Sequence, residues 1–319
     1  MNKKIIIGIE TSFDDFSVAL LEDRKIIVMW NENLSGTMWK DFGGVIPKLI
    51  IKKGEQAIKT LTKILKKFLN DDFSNIKNIF VTVKPGIEGC LKLGKAFALS
   101  LGEEYNIPVF GIDHLLGHFY SNFLNNEINL PNKGLYAIFS GGNSKLYVYE
   151  NNSFSLLSET RDIALGSMLD KIARELNFSN AIEMDSLQEE IDFNLILPKI
   201  QLKKGNMHDF SFTGLETFFK HFVKNDNNNF SSRQKANIVL KGVFLSCAQH
   251  VKKVLQVFNI KNLILGGGVS ANLSFRRILI RELQEDIEII VGNKEYSTDN
   301  GAMIALAGVM MEGQLEQLL

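Results

Sequence analysis

The chain has 319 residues, of which 45% are hydrophobic, and its 36 Lys and Arg residues balance its 36 Asp and Glu residues. A chain of this length exceeds the usual size of one hydrophobic core, so we expect two domains; the zero net charge excludes a chain-wide attraction to nucleic acid or membrane. The only cysteines are Cys90 and Cys247, which excludes a disulfide framework and indicates a reducing compartment.

Strands alternate with helices through the first half of the chain. The opening apolar run, residues 4–10, predicts a strand and not a signal peptide, and no apolar run approaches the roughly 20 residues that cross a bilayer. The sequence therefore predicts a cytoplasmic protein with no membrane segment. Periodicity predicts further strands at residues 17–21, 25–29, 78–83 and 109–112, and helices after Pro47 and at residues 90–103.

The pattern then restarts. An apolar strand at residues 134–139, a turn at 140–144 and an alternating strand at 145–150 repeat the opening hairpin, so we expect two copies of one α/β fold. The remaining predicted elements are helices at residues 164–177, 214–223, 233–257 and 271–285, strands at 263–265 and 288–291, and a closing helix at 302–311.

Two of the five histidines have the spacing of a metal site. On a helix, His114 and His118 lie on one face, where both imidazoles can bind a single ion, although histidines at this spacing also occur as packing residues. Zinc proteases of the His-Glu-x-x-His type carry a glutamate general base beside the first histidine, where this chain has Leu115. A metalloprotease is therefore disfavoured.

A third metal ligand has to come from elsewhere in the chain. The best candidate is Asp299, in a polar turn before the closing helix. The alternative role for Asp299 is to cap that helix, and both roles are compatible.

Glycine-rich turns predict a second kind of site. The turn with Gly141 and Gly142 and the turn at residues 266–268 expose backbone N–H groups suited to phosphate oxygens. The alternative for the first turn is a tight hairpin, and Asn272 after the second is either a helix cap or a ligand contact. Neither turn has the Gly-x-Gly-x-x-Gly or the P-loop pattern.

Ordered motifs along nearly the whole chain identify a family. They lie at residues 8–15, 43–47, 85–86, 114–118, 140–142, 170–171, 210–215, 267–272 and 298–300. With these motifs the chain resembles the TsaD family of tRNA threonylcarbamoyladenosine transferases, formerly called glycoproteases.

The resemblance implies a fold and a reaction. The fold is the two-lobed actin- and hexokinase-like (ASKHA) fold, with RNase H-like domains at residues 1–112 and 134–319, the second with helical insertions, and a metal-binding helix and connection at 113–133. The reaction is acyl transfer: the threonylcarbamoyl group moves from threonylcarbamoyladenylate to N6 of adenosine 37 in tRNAs that read ANN codons. The implied partners are tRNA, a TsaB-like homologue in a heterodimer and a TsaE-like ATPase.

The resemblance also implies site residues. His114, His118 and Asp299 would hold one iron(II) or zinc ion per chain, and Asp14 would be catalytic, with a turn-forming Asx role as its alternative. The substrate-binding residues implied for the adenylate are Ile138, Phe139, Ser140, Gly141, Gly142, Asp170 and Asn272.

The chain departs from the family pattern at several positions. Ile163 and Ser167 replace family acids, Asn143 replaces a histidine, and residues 178–183 lack the family's Pro-Gly-Gly-Pro loop. These changes motivate an alternative function, a non-catalytic or altered-substrate paralogue that binds nucleotide and a TsaB-like partner. The retained metal ligands argue against that alternative.

A lysine stripe is the candidate surface for tRNA. Lys59, Lys63 and Lys67 recur at four-residue spacing on one predicted helix. Such a stripe either contacts phosphates or is simply solvated.

Overall fold

The computed structural model describes residues 4–36, 38, 46–124, 129–151, 153–186, 210–225, 230–283 and 286–319. The chain divides into two compact units, Met1–Asn129 with Gly292–Leu319, and Leu130–Val291. The sequence prediction ended the first domain at residue 112 and placed residues 292–319 in the second, whereas the structure packs that segment in the first unit. Of the predicted motif at residues 43–47, residues 43–45 lie outside the described residues.

The first unit is built on one five-stranded sheet. Its strands are β1 (Ile5–Glu10), β2 (Asp15–Glu22), β3 (Lys25–Asn33), β4 (Ile76–Lys84) and β5 (Val109–Asp113). The strand order is β3-β2-β1-β4-β5, in which β1 to β3 form antiparallel pairs and β4 and β5 add in parallel. Asp23 and Arg24 have positive φ at the turn between β2 and β3, as a tight hairpin turn requires.

In the described part of this unit, one helix follows each of β3, β4 and β5. They are α1 (Pro47–Phe68), α2 (Glu88–Tyr105) and α3 (His114–Tyr120). Pro47 starts α1 because a first-turn proline has no N–H that needs a partner. The stripe of Lys59, Lys63 and Lys67 is exposed, as predicted, while Ile50, Ala57, Leu61 and Leu65 bury the opposite face of the helix in the core.

The second unit repeats the same sheet. Its strands are β6 (Lys133–Phe139), β7 (Ser144–Glu150), β8 (Ser153–Glu159), β9 (Asn262–Gly266) and β10 (Glu288–Ile290). The order β8-β7-β6-β9-β10 again has three antiparallel strands followed by two parallel ones. The predicted repetition of one α/β fold is therefore confirmed.

Helices of the second unit occupy the segments between β8 and β9 and between β9 and β10. They are α4 (Leu165–Glu175), α5 (Ala181–Ser186), α6 (Thr213–Lys224), α7 (Ser232–Val257) and α8 (Leu273–Leu283). A capping box between Ser231 and Gln234 starts α7. Among the described residues, no helix combines the length and the apolar character needed to cross a membrane.

The last helix, α9 (Gly301–Met310), returns to the first unit. Its residues from Gly301 to Gly308 are all buried, and Gly308 packs directly on the ring of Phe80 in β4. A helix that is apolar on all sides has to lie inside a core. This burial explains why residues 292–319 belong to the first unit.

Candidate functional site

The two histidines of the predicted metal site lie on the short helix α3, directly after β5. Asp113 caps the helix, because its carboxylate accepts a hydrogen bond from the N–H of Leu115 at 2.9 Å. Both His114 and His118 are buried, and their ring centroids are 4.6 Å apart. The parallel strand β5 thus delivers both imidazoles to one end of the first sheet.

Asp299 joins these histidines. Its Oδ1 lies 3.2 Å from Nε2 of His118 and 3.6 Å from Nε2 of His114. The predicted alternative, that Asp299 caps the closing helix, is wrong: Asn300 is the cap, and its side chain accepts a hydrogen bond from the N–H of Met303 at 2.9 Å. The Asp299 carboxylate is therefore directed to the imidazoles.

The three side chains fit a metal ion by their chemistry. One potential ligand atom from each lies within 4.8 Å of the others. Two imidazole nitrogens and one carboxylate oxygen suit zinc or iron(II), and three protein ligands leave coordination positions open, as in catalytic sites.

Charges inside this cluster reinforce one another. Burial opposes protonation of His114, but the carboxylates of Asp299 and Glu10 outweigh it and raise the pKa of His114 to about 9. Burial likewise opposes ionisation of Asp299, but His114 and His118 outweigh it and lower the pKa of Asp299 to about 2. The carboxylates of Glu10 and Asp299 therefore favour a cation at this end of the sheet.

Two adjacent acids follow β1 in the same unit. Asp14, the predicted catalytic residue, is buried, with its Oδ2 3.5 Å from the Asn33 amide nitrogen. No backbone N–H bonds its carboxylate in the described part of the chain, so the Asx alternative gains no support. Asp15, overlooked in the sequence, accepts a hydrogen bond from Asn33 at 2.7 Å, and burial raises its pKa to about 6.

The Ser-Gly-Gly turn lies in the second unit, between β6 and β7. A Cβ at Gly141 or Gly142 would meet no atom within 4 Å, so the backbone of this turn is open. The N–H of Gly166 donates to the Ser140 carbonyl at 3.1 Å, and the Ser167 hydroxyl donates to the Gly141 carbonyl. The turn closes the β6–β7 hairpin, as the alternative interpretation predicted, and it leaves room for a ligand, whose binding here stays a prediction.

The side chains of Ile138 and Phe139 are part of the core. Both are fully buried, and Phe139 stacks edge-on against Phe210 and Phe275. Ile138 and Phe139 could therefore contact a ligand only through their backbone atoms.

Asp170 and Asn272 lie in the second unit and both accept hydrogen bonds from backbone N–H groups. Asp170 accepts a hydrogen bond from the N–H of Ala181 at 2.8 Å, which ties α5 to α4, and burial raises the pKa of Asp170. The side chain of Asn272 accepts a hydrogen bond from the N–H of Phe275 at 2.9 Å, so Asn272 caps the helix that follows it. The helix predicted from residue 271 begins at Leu273, and a separate 3₁₀ turn, Gly268–Ala271, precedes it, in which Gly268 is exposed.

A sequence model of one family, described as TsaD: tRNA N6-adenosine threonylcarbamoyltransferase, matches residues 28–306. The chain belongs to this family. The transferase of that name from Mycoplasma mobile is 36% identical over 317 residues, covering 96% of this chain and 98% of the relative. That from Bacillus cereus is 33% identical over 319 residues, covering 96% and 91%. TsaD membership confirms the predicted class, an acyltransferase enzyme with tRNA as substrate.

Solved structures share the fold. HypF of T. kodakarensis matches with a TM-score of 0.62 at 13% identity, covering 98% of this chain and 48% of HypF. Component A of (R)-2-hydroxyglutaryl-CoA dehydratase from Acidaminococcus fermentans matches with a TM-score of 0.55 at 15% identity, covering 95% and 96%. The predicted ASKHA fold class is confirmed.

Proposed function

We propose that this chain transfers the threonylcarbamoyl group from threonylcarbamoyladenylate to N6 of adenosine 37 in tRNAs that read ANN codons. The N6 amine attacks the carbamoyl carbon, a C–N bond forms, the C–O bond to the phosphate breaks, and AMP leaves. The convergence of His114, His118 and Asp299 in a TsaD chain carries this proposal. It supports a working catalyst, and none of the described contacts favours the non-catalytic alternative.

His114, His118 and Asp299 would hold one iron(II) or zinc ion per chain. An ion bound by them supplies Lewis-acid polarisation of the carbamoyl oxygen. The protein contributes a preformed set of donors, since the Nε2 atoms of both buried imidazoles already face Asp299. A preformed set reduces the reorganisation needed at the moment of reaction.

Asp14 is proposed to orient the N6 amine of adenosine or to accept its proton. It lies in the first unit beside Asn33, with no ion pair in the described residues to compete for its carboxylate. The Asn33 side-chain amide donates to Asp15 as well as to Asp14. With a pKa of about 6, Asp15 is suited to exchange protons near neutral pH.

The adenylate is proposed to bind the second unit through backbone groups. Gly141, Gly142 and Gly268 are exposed and carry no side chain that would block a ligand, so their N–H groups would suit phosphate oxygens. Asp170 would accept hydrogen bonds from the ribose, and Asn272 would add a side-chain amide. Residues 178–183, which the resemblance matches to the family's Pro-Gly-Gly-Pro loop, lie where α4 leads into α5, and Asp170 holds them through the N–H of Ala181.

We further propose that the chain works in the cytoplasm with a TsaB-like homologue and a TsaE-like ATPase. The exposed stripe of Lys59, Lys63 and Lys67 is the candidate tRNA contact.

A reconstituted transfer assay tests the proposal. Purified protein, its TsaB- and TsaE-like partners, threonylcarbamoyladenylate and an ANN-decoding tRNA transcript are combined, and the digested nucleosides are measured by mass spectrometry. We expect threonylcarbamoyladenosine with the wild type and none with His114→Ala. A matched transcript with guanosine at position 37 should stay unmodified. Absence of product, with an ordinary TsaD protein active beside the same partners, would overturn the proposal.

A further inference from the structure

Glu10, at the end of β1, has a carboxylate with no exposure to solvent. Three groups from separate segments surround it. Oε1 accepts a hydrogen bond from the N–H of Ser12, and Oε2 accepts one from the Thr82 hydroxyl on β4. Oε2 also lies 3.1 Å from Nδ1 of His114. A carboxylate this deeply buried is stable only if its oxygens are hydrogen-bonded or paired with charge.

These contacts specify how His114 is held. Because an ionised carboxylate can only accept hydrogen bonds, Nδ1 of His114 is the nitrogen that donates to Glu10. Nε2 is therefore the ring nitrogen that the neutral imidazole offers to an ion. Nε2 is the atom that lies 3.6 Å from Oδ1 of Asp299. The Ser12 hydroxyl, 3.2 Å from Nδ1, supports the same side of the ring.

We propose that Glu10 is a positioning residue that fixes the ring orientation and tautomer of His114 for metal binding. The inference rests on the proposed metal role of His114, His118 and Asp299. In it, Glu10 bonds Nδ1 of His114, the ring nitrogen that does not face Asp299. Such outer carboxylates orient a ligating histidine and make it a better donor.

The two histidines differ in this respect. Nδ1 of His118 is buried and has no hydrogen-bond partner in the described residues. Among those residues, therefore, the ring of His114 alone is supported from behind by a carboxylate. Loss of Glu10 should weaken one specific ligand rather than disperse the whole cluster.

The test compares two acid-to-amide variants. Glu10→Gln keeps the size of the side chain, but its NH₂ group cannot accept, so at least one buried donor loses its partner. The control is Asp162→Asn in the second unit, where the acid also accepts several hydrogen bonds, from Ser211, Phe212 and Thr213. Zn²⁺ affinity is measured by competition with a chromophoric chelator, and thermal unfolding is followed on the metal-free proteins.

We expect Glu10→Gln to weaken Zn²⁺ binding by about 10- to 100-fold, and Asp162→Asn to lower the unfolding temperature while keeping wild-type affinity. Saturating Zn²⁺ should restore transfer activity to Glu10→Gln, which a purely structural defect would not permit. Wild-type Zn²⁺ affinity in Glu10→Gln, or an equal loss of Zn²⁺ affinity in Asp162→Asn, would overturn this inference and leave the proposed metal role standing. A wild-type protein that binds no Zn²⁺ and no Fe²⁺ would overturn the proposed metal role, and this inference with it.

Discussion

Gly8 in β1 and Gly301 at the start of α9 pack backbone against backbone. A Cβ at Gly8 would collide with the Gly301 carbonyl oxygen, and a Cβ at Gly301 would collide with the Gly8 carbonyl oxygen. The N–H of Gly301 also donates to the Ser17 hydroxyl in β2 at 2.8 Å. Because Asp299 precedes Gly301 by two residues, this close approach sets the position of its carboxylate beside the histidines.

Gly8→Ala is expected to displace α9 from the sheet. Overpacking of this kind lowers the free energy of unfolding by about 1–3 kcal/mol, and the shift of Asp299 should reduce metal content as well. Urea denaturation and metal analysis of the purified protein measure the two effects. Gly214→Ala is the matched control, because a Cβ there meets no atom within 4 Å; equal behaviour of the two variants would contradict the role given to the contact.

The buried carboxyl group of Asp15 should make the free energy of unfolding depend on pH. Burial raises its folded-state pKa from 3.8 to about 6, so its contribution is fully present below about pH 4 and is lost as the pH rises through about 6. Asp15→Asn cannot ionise and should be more stable than the wild type at neutral pH, by at most about 3 kcal/mol. The difference should vanish near pH 4 in denaturation curves; a difference that is constant with pH would contradict this explanation.

Asp162 is expected to stabilise the start of α6. Its carboxylate accepts hydrogen bonds from the Ser211 hydroxyl and from the N–H groups of Phe212 and Thr213. Burial opposes its ionisation, yet these donors outweigh burial and lower the pKa of Asp162. Asp162→Ala should lose about 1–2 kcal/mol at neutral pH.

The loss in Asp162→Ala should shrink in acid, as the wild-type carboxylate is protonated at a pH below the ordinary aspartate range. Ser211→Ala, which removes one of the donors, should lose less. Chemical denaturation at several pH values measures both variants, and an unchanged midpoint for Asp162→Ala would count against the capping role.

Ser167 should tune adenylate binding. Its hydroxyl donates to the Gly141 carbonyl and so holds the open Ser-Gly-Gly turn. Ser167→Ala removes one hydrogen bond, so we expect KM for threonylcarbamoyladenylate to rise about 3- to 10-fold, with kcat nearly unchanged. Steady-state kinetics at saturating tRNA measures this; an unchanged KM would show that the turn needs no support from Ser167.

Much of the fold could be predicted from the sequence because its strands and long helices have clear periodicity. Strand β8 was missed, since its Ser-rich sequence at Ser153–Glu159 is mostly exposed and has a weak apolar signal. The six-residue helix α5 was missed because its start depends on a tertiary contact, the hydrogen bond from Ala181 to Asp170. Local patterns do not encode such contacts.

The residues of the candidate site also differ in how far the sequence predicts them. The spacing of His114 and His118 is a local pattern and could be predicted, and family motifs indicated Asp299. The sequence could not predict that Asn300 and not Asp299 caps the closing helix, because both residue types cap helices well. Glu10 and Asp15 were missed because their roles depend on burial and on partners up to 104 residues away.

The most direct test of the account relates transfer activity to bound metal. Chelator-stripped protein is reloaded with increasing Zn²⁺ or Fe²⁺, and threonylcarbamoyladenosine formation is measured against the metal bound per chain. We expect activity to rise to a plateau at one ion per chain in the wild type and to stay absent in His118→Ala and Asp299→Ala. Full activity of the metal-free protein, or of either variant, would contradict a catalytic role for the metal.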